Sequence, residues 1–235
     1  MSEDLLREYG LDDENEDLVD TNLVDKGLGA FTSKLVEDLI DAWRTEVHAP
    51  EILQFRDELV TQIKEKLDEK VELVDDALEK LEEETKNPQS NNAFQEHFTV
   101  SFYQMDMERV RYSLARYLRT RILKIERNLY AFGADLEMMD RLSFNEKQFV
   151  TQLNRLNESY FAKQMRDKIQ TEYRQDDLVN HSLPNLKTYI FLRPKEDIEL
   201  GDDEERKDYY PDDIVIAEYA GEVRDYVLED KVSLL

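Results

Sequence analysis

The side chains that could carry catalysis are few and scattered in this sequence. The three histidines, His48, His97 and His181, lie far apart, and none has a partner at the spacing of metal ligands. The chain has no cysteine, which excludes disulfides, thiolate zinc sites, iron–sulfur clusters and cysteine nucleophiles. We therefore predict no catalytic residue, no metal site and no bound cofactor.

Loops that bind phosphate or carry a nucleophile are not evident either. The six glycines are scattered, and no Walker, GxGxxG or GxSxG pattern occurs. Carboxylates are abundant, with 55 Asp and Glu residues, so acids close together in sequence are expected by number alone. Most of them should lie on solvated helix faces. A hydrolase that uses only carboxylates stays open, although no positive feature supports one.

The charge balance limits the partners of the chain. Against 55 acids stand 31 Lys and Arg residues, a formal net charge of −24. A chain this acidic is not expected to coat nucleic acid or an anionic membrane with its whole surface. Residues 1–25 hold ten acids and one base, and residues 196–213 hold ten acids and two bases. We interpret both stretches as solvated tail or loop.

Targeting segments are also not evident. No apolar run approaches the length of about 20 residues that spans a bilayer. The first residues, MSEDLLREYG, lack the basic start and apolar stretch of a signal peptide. We therefore expect a soluble intracellular protein that does not bind membranes.

Residues 109–127 are basic although the chain as a whole is acidic: they hold seven bases and one acid. At about 100° per residue, helical spacing gathers apolar side chains into one sector. The sector comprises Met107, Val110, Leu114, Tyr117, Leu118, Ile122 and Ile125. The bases mainly opposite are Arg109, Arg116, Arg119, Lys124 and Arg127. These bases form either a solvated face that balances the acidic second helix or a nucleic-acid-binding surface.

Two further arginines of this segment, Arg111 and Arg121, fall inside or at the edge of the apolar sector. An arginine on an apolar face needs a carboxylate or carbonyl partner, because an unpaired buried charge costs several kcal/mol. A planar guanidinium suits such a paired site. We therefore hypothesise that both make ion pairs across a helix–helix or subunit contact.

Four helices are predicted in the first 172 residues. The first is capped by Thr32 or Ser33, and Pro50 lies in the first turn of the second. The second carries a narrow apolar seam of the coiled-coil type from Val60 to Leu81. The third covers about 104–131 and the fourth about 144–171.

Composition shifts near residue 174 towards short runs of β-forming residues. Strands are predicted at 189–192, 214–216 and 232–234, with a short helix over about 218–228. Between the first two strands we expect an irregular acidic loop. A module of about 50 residues buries too little to be comfortably stable alone, so we expect it to dock. The terminal Leu234 and Leu235 should then be packed.

These patterns predict an α+β fold that is mainly α. An N-terminal helical domain of about four helices, one of them long, is followed by a linker and a small β-rich module. The predicted ranges are an acidic, disordered tail over 1–30, a helical domain over 31–172, a linker over 173–184 and a β-rich domain over 185–235.

Residues 104–126, QMDMERVRYSLARYLRTRILKIE, closely resemble the signature of the Sld-five type of subunit of GINS, the four-subunit eukaryotic replication complex. Three further stretches resemble parts of the same family in order: WRTEVHAPEIL at 43–53, PNLKTYIFLR at 184–193 and DKVSLL at 230–235. The resemblance implies a helical domain linked to a small β-rich domain. It also implies a nuclear, non-catalytic subunit that works in DNA replication.

The resemblance further implies partners and interface residues. The partners are the other three GINS subunits, the Psf-one type most extensively, and the MCM hexamer and RecJ-like Cdc factor of the CMG helicase. DNA would be contacted only indirectly. Candidates for the shared core and subunit interface are Trp43, Met107, Arg111, Leu114, Leu118, Arg119, Arg121, Leu234 and Leu235. Such an obligate interface typically exceeds about 2,000 Å².

One short peptide in the acidic tail has a separate interpretation. Residues 3–9, EDLLREY, resemble the peptide by which fungal members of this family dock on the trimeric Ctf-type replisome hub. Leu5, Leu6 and Tyr9 would fill a groove as a helical turn while Glu3 and Asp4 set the register. The alternative is an acidic tail with no dedicated partner.

Overall fold

The computed structural model describes residues 33–85, 93–134, 136–163, 184–201, 206–211 and 213–235. The helices in these ranges are α1 (Ser33–His48), α2 (Asp57–Thr85), α3 (Ala93–Arg127), α4 (Leu129–Ala134), α5 (Leu136–Asp140), α6 (Phe144–Phe161) and α7 (Glu222–Leu228). The strands are β1 (Tyr189–Pro194), β2 (Ile198–Leu200), β3 (Lys207–Tyr209), β4 (Val215–Glu218) and β5 (Val232–Leu234). The predicted class, α+β and mainly α, is confirmed.

Within these ranges, every helix is too short or too polar to cross a membrane. The described chain divides into two compact units, residues 33–36 with 60–112, and residues 37–59 with 113–235. The second unit therefore contains helical residues together with the whole described C-terminal module. The predicted tail over 1–30 and most of the predicted linker over 173–184 lie outside the described residues, and the four domain ranges stay predictions.

In the first unit, the apolar seam predicted for α2 is buried. Its buried members are Val60, Ile63, Leu67, Val74 and Ala77. On α3 the same unit buries Val100, Met107 and Val110. The Lys70 ammonium of α2 lies 5.9 Å from the centre of the Tyr103 ring of α3, which places these two helices side by side.

The second unit has two apolar clusters. One forms where the end of α3 meets α4, α5 and α6. Its buried members are Ile52, Ile125, Leu129, Ala131, Phe132, Met138, Leu142 and Val150. The other is the core of the C-terminal module. It contains Ala49, Ile190, Leu192, Ile198, Leu200, Tyr219, Val223, Val227, Val232 and Leu234.

The start of the second helix differs from the prediction, because α2 begins at Asp57 and Pro50 lies in a bend. The carbonyl oxygens of residues 51–53 accept hydrogen bonds from side chains that are distant in the sequence instead of forming a helical turn. The donors are Lys124 (2.8 Å), Arg141 (3.2 Å) and Arg121 (2.7 Å), in that order. A local N-terminal signal is thus overridden by tertiary hydrogen bonds.

The third and fourth helices also differ at their ends. Helix α3 begins at Ala93, eleven residues before the predicted start, and a turn at Asn128 separates it from α4. Helix α6 begins at Phe144 as predicted, because Ser143 and Glu146 form a reciprocal capping box. The predicted continuation over 164–171 lies outside the described residues.

The C-terminal module contains a three-stranded antiparallel sheet in the order β4–β1–β5. In its register, Phe191 lies opposite Ile216, and Leu192 lies opposite Leu234. The acidic loop predicted as irregular contains β2 and β3, which pair antiparallel with each other. The physical reason is an alternation in which Ile198 and Leu200 are buried around an exposed Glu199.

Candidate interaction surfaces

Arg121 of α3 is fully buried, at 0% exposure. Its Nε and Nη2 atoms donate to the two carboxylate oxygens of Glu146 at 2.8 and 3.1 Å. Its Nη1 atom donates to Oε2 of Glu46 at 3.0 Å. The two remaining N–H groups donate to the carbonyls of Leu53 (2.7 Å) and Arg141 (3.1 Å). All five guanidinium donors are therefore satisfied inside the chain.

The surroundings of Arg121 keep it charged. Burial alone would lower the pKa of Arg121, but Glu146 and Glu46 outweigh that effect and raise it above its ordinary value. The guanidinium carbon also lies 5.2 Å from the Phe55 ring centre and 5.9 Å from that of Tyr117. Helix α1, the 49–56 connection, α3 and α6 all meet at this charge.

One turn further along α3, Lys124 joins the same network. Its Nζ atom donates to Oε1 of Glu46 at 2.8 Å. Burial lowers the pKa of Lys124 despite this carboxylate and that of Glu51, and the Arg121 charge adds to the lowering. Two cations and the carboxylates of Glu46 and Glu146 thus balance one another in the interior.

Glu51 is the second buried charge centre, and it joins the C-terminal module to the helices. Its Oε1 atom accepts from the Tyr219 hydroxyl at 2.9 Å and from Nε of Arg224 at 2.6 Å. Its Oε2 atom accepts from Arg224 at 2.9 Å and from Arg141 at 2.7 Å. Burial alone would raise the pKa of Glu51, but these donors hold it below its ordinary value. Burial and the Glu51 charge raise the pKa of Tyr219.

A third set of polar contacts lies around Asp230, which has a positive φ of 61°. Nη1 of Arg56 donates to Oδ2 of Asp230 at 2.7 Å. The Lys195 ammonium bridges Asp230 at 2.9 Å and Asp41 of α1 at 2.7 Å. The Ser233 hydroxyl also donates to Asp41. Helix α1 and the 49–56 connection thus contact the module near the end of β1 and around the start of β5.

The end of the described chain is packed, as predicted. Leu234 is fully buried, and its amide lies 3.4 Å from the Thr45 hydroxyl oxygen of α1. The Leu235 amide donates to the Phe191 carbonyl at 3.0 Å. The small module therefore docks on residues of α1 and of the 49–56 connection in its own chain.

A strip of large side chains on α3 faces solvent in the first unit. Phe98, Phe102 and Met105 are 59%, 61% and 69% exposed. The two phenylalanine rings contact each other with their centres 5.6 Å apart. Arg109 and Tyr112 continue the strip at the same helical spacing, and both are exposed. We call these five residues the α3 strip. Aromatic residues, Met and Arg are enriched at protein–protein interfaces.

None of the five residues of the α3 strip is among the predicted interface residues. Phe98 and Phe102 precede the predicted helix start at residue 104, so their helical spacing with Met105 gives no prediction there. The apolar sector predicted from Met107 onwards is largely the buried side of α3. A helix with apolar residues on two sides is the signal that could have indicated the strip.

The predicted interface residues occupy three environments. Met107, Leu114, Arg121 and Leu234 are buried within the chain; Trp43, Leu118 and Leu235 are partly buried; Arg111 and Arg119 are exposed. The predicted ion pair across a helix–helix contact exists for Arg121. Arg111 instead pairs with Glu108 of its own helix, because it lies at the solvent edge of the buried sector. The subunit-interface role of these residues stays a prediction.

The histidines and the tail peptide are the remaining candidates from the sequence. His48 is exposed and hydrogen-bonds the Arg44 carbonyl of its own helix through Nδ1 at 2.9 Å, and His97 is exposed. His181 lies outside the described residues, as do Asp4, Leu5, Leu6 and Tyr9 of the tail peptide. Among the residues that the structure describes, no group of His, Asp and Glu could hold a metal ion.

The helical part of the chain matches a known family model. Residues 73–165 match the model described as Sld5, the GINS complex protein helical bundle domain. The match covers the C-terminal part of α2 from residue 73 and the whole of α3, α4, α5 and α6.

Similar proteins cover more of the chain. The DNA replication complex GINS protein SLD5 of Arabidopsis thaliana is 34% identical over 175 residues, which are 70% of this chain and 73% of that protein. The mouse protein of the same name is 32% identical over 215 residues, 86% of this chain and 80% of that protein. The human one is 31% identical over 191 residues, 77% and 78% respectively.

Proposed function

Because this chain belongs to the Sld5 family of GINS complex proteins, we propose that it is a non-catalytic structural subunit of a heterotetrameric GINS complex. Its partners in this role are the other three GINS subunits, the Psf-one type most extensively. The complex supports the replicative CMG helicase, with the MCM hexamer and the RecJ-like Cdc factor, in initiation and elongation of DNA replication. Its site of action is the nucleus.

The observation that carries this proposal is the α3 strip. Three of its members are large apolar side chains that are more than half exposed. Covering such a side chain contributes about 1.5–3 kcal/mol, so a partner that buries the strip gains substantially. From Phe98 to Tyr112 the strip extends about 21 Å along the helix axis, a length suited to a partner helix. We propose that another GINS subunit covers it.

The state of the buried charges supports a non-catalytic role. A catalytic carboxylate or base needs a site that a substrate can reach. Glu46, Glu146 and Glu51 are buried, and each is paired with one or two cations of the same chain. A cleft of about 240 Å³ borders Glu46, but that carboxylate already accepts from Arg121 and Lys124. These groups are arranged to hold the fold together.

The alternative function, a nucleic-acid-binding module that uses residues 109–127, has less support. Arg121 and Lys124 are committed to the buried network. Arg109 and Arg111 pair with Asp106 and Glu108 of the same helix, and these two carboxylates offset the positive charge of the two arginines. A strong salt dependence of DNA binding by the isolated chain would favour this alternative.

The tail peptide remains a separate part of the proposal. We propose that Asp4, Leu5, Leu6 and Tyr9 dock on a trimeric Ctf-type hub. Fluorescence titration of a peptide of residues 1–14 against the hub tests this. Saturable binding that is lost when Leu5 and Leu6 are changed to Ser is the expected result, and a linear, unsaturable signal contradicts it.

Expression of the chain alone and with its partners tests the main proposal. Because the α3 strip is uncovered in the lone chain, we expect that chain to self-associate or aggregate in sedimentation. Co-expression with the other three GINS subunits should yield one complex with one copy of each. A lone chain that sediments as a well-behaved monomer and does not join the complex would contradict the proposal.

A further inference from the structure

The outer face of the C-terminal sheet is apolar and exposed. Alternate side chains of β1 and β4 point away from the module core, and Tyr189 and Ile216 are 75% and 61% exposed. Phe191, directly opposite Ile216 in the register, is also exposed, as is Ile214 just before β4. A contiguous patch of this kind on so small a module marks an interaction site.

Beside this patch, no strand in the described part of the chain pairs with the outer edge of β4. Phe191 accepts a hydrogen bond from the Leu235 amide, so the peptide groups of Phe191 face β5. Peptide groups alternate in direction along a strand, and so those of Ile216 face away from β1. Among the described residues, β4 pairs with β1 alone. The N–H and C=O of Ile216 therefore lie on a free strand edge.

The opposite edge of the sheet is closed. Ser233 of β5 donates to Asp41 of α1, and the Leu234 amide lies 3.4 Å from the Thr45 hydroxyl oxygen. Natural proteins usually protect an exposed edge strand with charges, a bulge or a covering element. Here α1 protects β5, while β4 carries the exposed Ile216 at its centre. A strand added to this sheet would therefore pair with β4.

Charge indicates what kind of strand would bind. The described residues of the module hold ten acids and seven bases. Asp213 and Glu218 lie at the two ends of β4. This negative surface repels nucleic acid and anionic lipid, and it attracts a polypeptide segment that is flanked by Lys or Arg.

We propose that the outer face of this sheet and the free edge of β4 form a docking site for an extended, basic-flanked segment of a partner polypeptide. The segment adds as a further strand, with backbone hydrogen bonds to Ile216. Its alternate apolar side chains cover Phe191 and Ile216. The site uses none of the residues of the α3 strip and goes beyond the function proposed above.

A phage-displayed library of random twelve-residue peptides tests this site; it is panned on the full chain, immobilised by a terminal tag at a density low enough to keep the molecules apart. Ile216→Pro deletes the outward N–H without removing a hydrogen bond to β1. Phe191→Ser removes the apolar side chain and leaves the backbone intact. Leu156→Ser on α6 is the matched control, since Leu156 is also exposed. Hydrogen exchange of the β1 amides verifies that each variant keeps its sheet.

The expected result is enrichment of peptides with alternating apolar residues and basic flanks. Their affinity should fall at least tenfold with Ile216→Pro and with Phe191→Ser and stay unchanged with Leu156→Ser. Peptides that bind the variants as well as the wild type, or no enrichment dependent on these positions, would overturn the proposal. Panning needs no assembled complex, so this outcome is independent of the test of the GINS role.

The same panning on the purified GINS complex identifies the source of the natural segment. If the complex no longer selects the peptides, another subunit of the complex occupies the site. If the complex still selects them, the segment belongs to a further partner. Both results support the docking site, and they separate the two sources.

Discussion

The Nε atom of Arg224 lies 2.6 Å from Oε1 of Glu51, although 173 residues separate the two in the sequence. Tyr219 and Arg141 donate to the same carboxylate. One buried carboxylate of the 49–56 connection therefore binds the C-terminal module on one side and α5–α6 residues on the other. The module and the helical residues around it are expected to open as one cooperative unit.

Replacing Glu51 tests this coupling. Glu51→Ala leaves the Arg141 and Arg224 charges and the Tyr219 hydroxyl without their acceptor. Breaking a buried pair from one side costs about 3–5 kcal/mol. Hydrogen exchange of the β1 and β5 amides, measured in the purified complex, should show opening that is easier by about this amount. Glu58→Ala, an exposed acid on α2, is the control, and equal exchange in both variants would contradict the coupling.

The attachment of the module should depend on pH. The pKa values of Glu51 and Asp230 lie below their ordinary values of 4.5 and 3.8 in the folded chain. Each ionised carboxylate therefore contributes its full stabilisation when the pH is above its ordinary pKa. This stabilisation is lost as the pH falls from the ordinary pKa to the lower pKa of the folded chain. Between about pH 6 and about pH 3 the opening free energy of the module should decrease. Glu51→Gln should flatten this dependence, and an unchanged slope would contradict the assignment.

The Tyr219 hydroxyl should contribute separately. Tyr219→Phe removes one donor and leaves Glu51 with Arg141 and Arg224. A hydrogen bond to a charged acceptor contributes about 1.5–3 kcal/mol. We expect the free energy of opening of the module to decrease by an amount in this range, measured again by hydrogen exchange. Tyr189→Phe, at an exposed position of β1, should have almost no effect; equal effects would show that burial of the hydroxyl does not matter.

Arg121 and Arg111 provide a matched pair of arginines on one helix. Arg121→Ala leaves Glu46 and Glu146 buried without their shared partner, and a cost of about 3–5 kcal/mol is expected. Arg111 pairs on the surface, where such pairs contribute about 0–1 kcal/mol. The thermal midpoint of the purified complex should fall markedly for Arg121→Ala and little for Arg111→Ala. An unchanged midpoint for Arg121→Ala would refute the buried network.

Much of the helical core could be predicted because its signals are local. Met107, Val110 and Leu114 recur at helical spacing, and α3 buries them. The same holds for β1, where alternation and β-forming residues mark the strand. The partner requirement of Arg121 also followed from its position among apolar residues, although the identity of Glu46 and Glu146 did not.

The remaining features depend on distant residues. Pro50 and Glu51 satisfy the local rules for a helix start, but the deciding donors are 68 to 89 residues away in sequence. The part of the chain on which the module docks could not be predicted for the same reason, since no local pattern links Glu51 with Arg224. In β2 the acidic composition concealed the alternation of Ile198 and Leu200.

The most direct test of the proposed role is the replacement of a central residue of the α3 strip. Phe102→Asp places a charge where we propose that another GINS subunit packs, and Leu136→Asp places the same charge at another exposed apolar position. Each variant is co-expressed with the other three GINS subunits, and the recovered partners are quantified after affinity purification of this chain. We predict loss of the partners with Phe102→Asp and full recovery with Leu136→Asp. Full recovery with Phe102→Asp would contradict the claim that the α3 strip is a subunit interface.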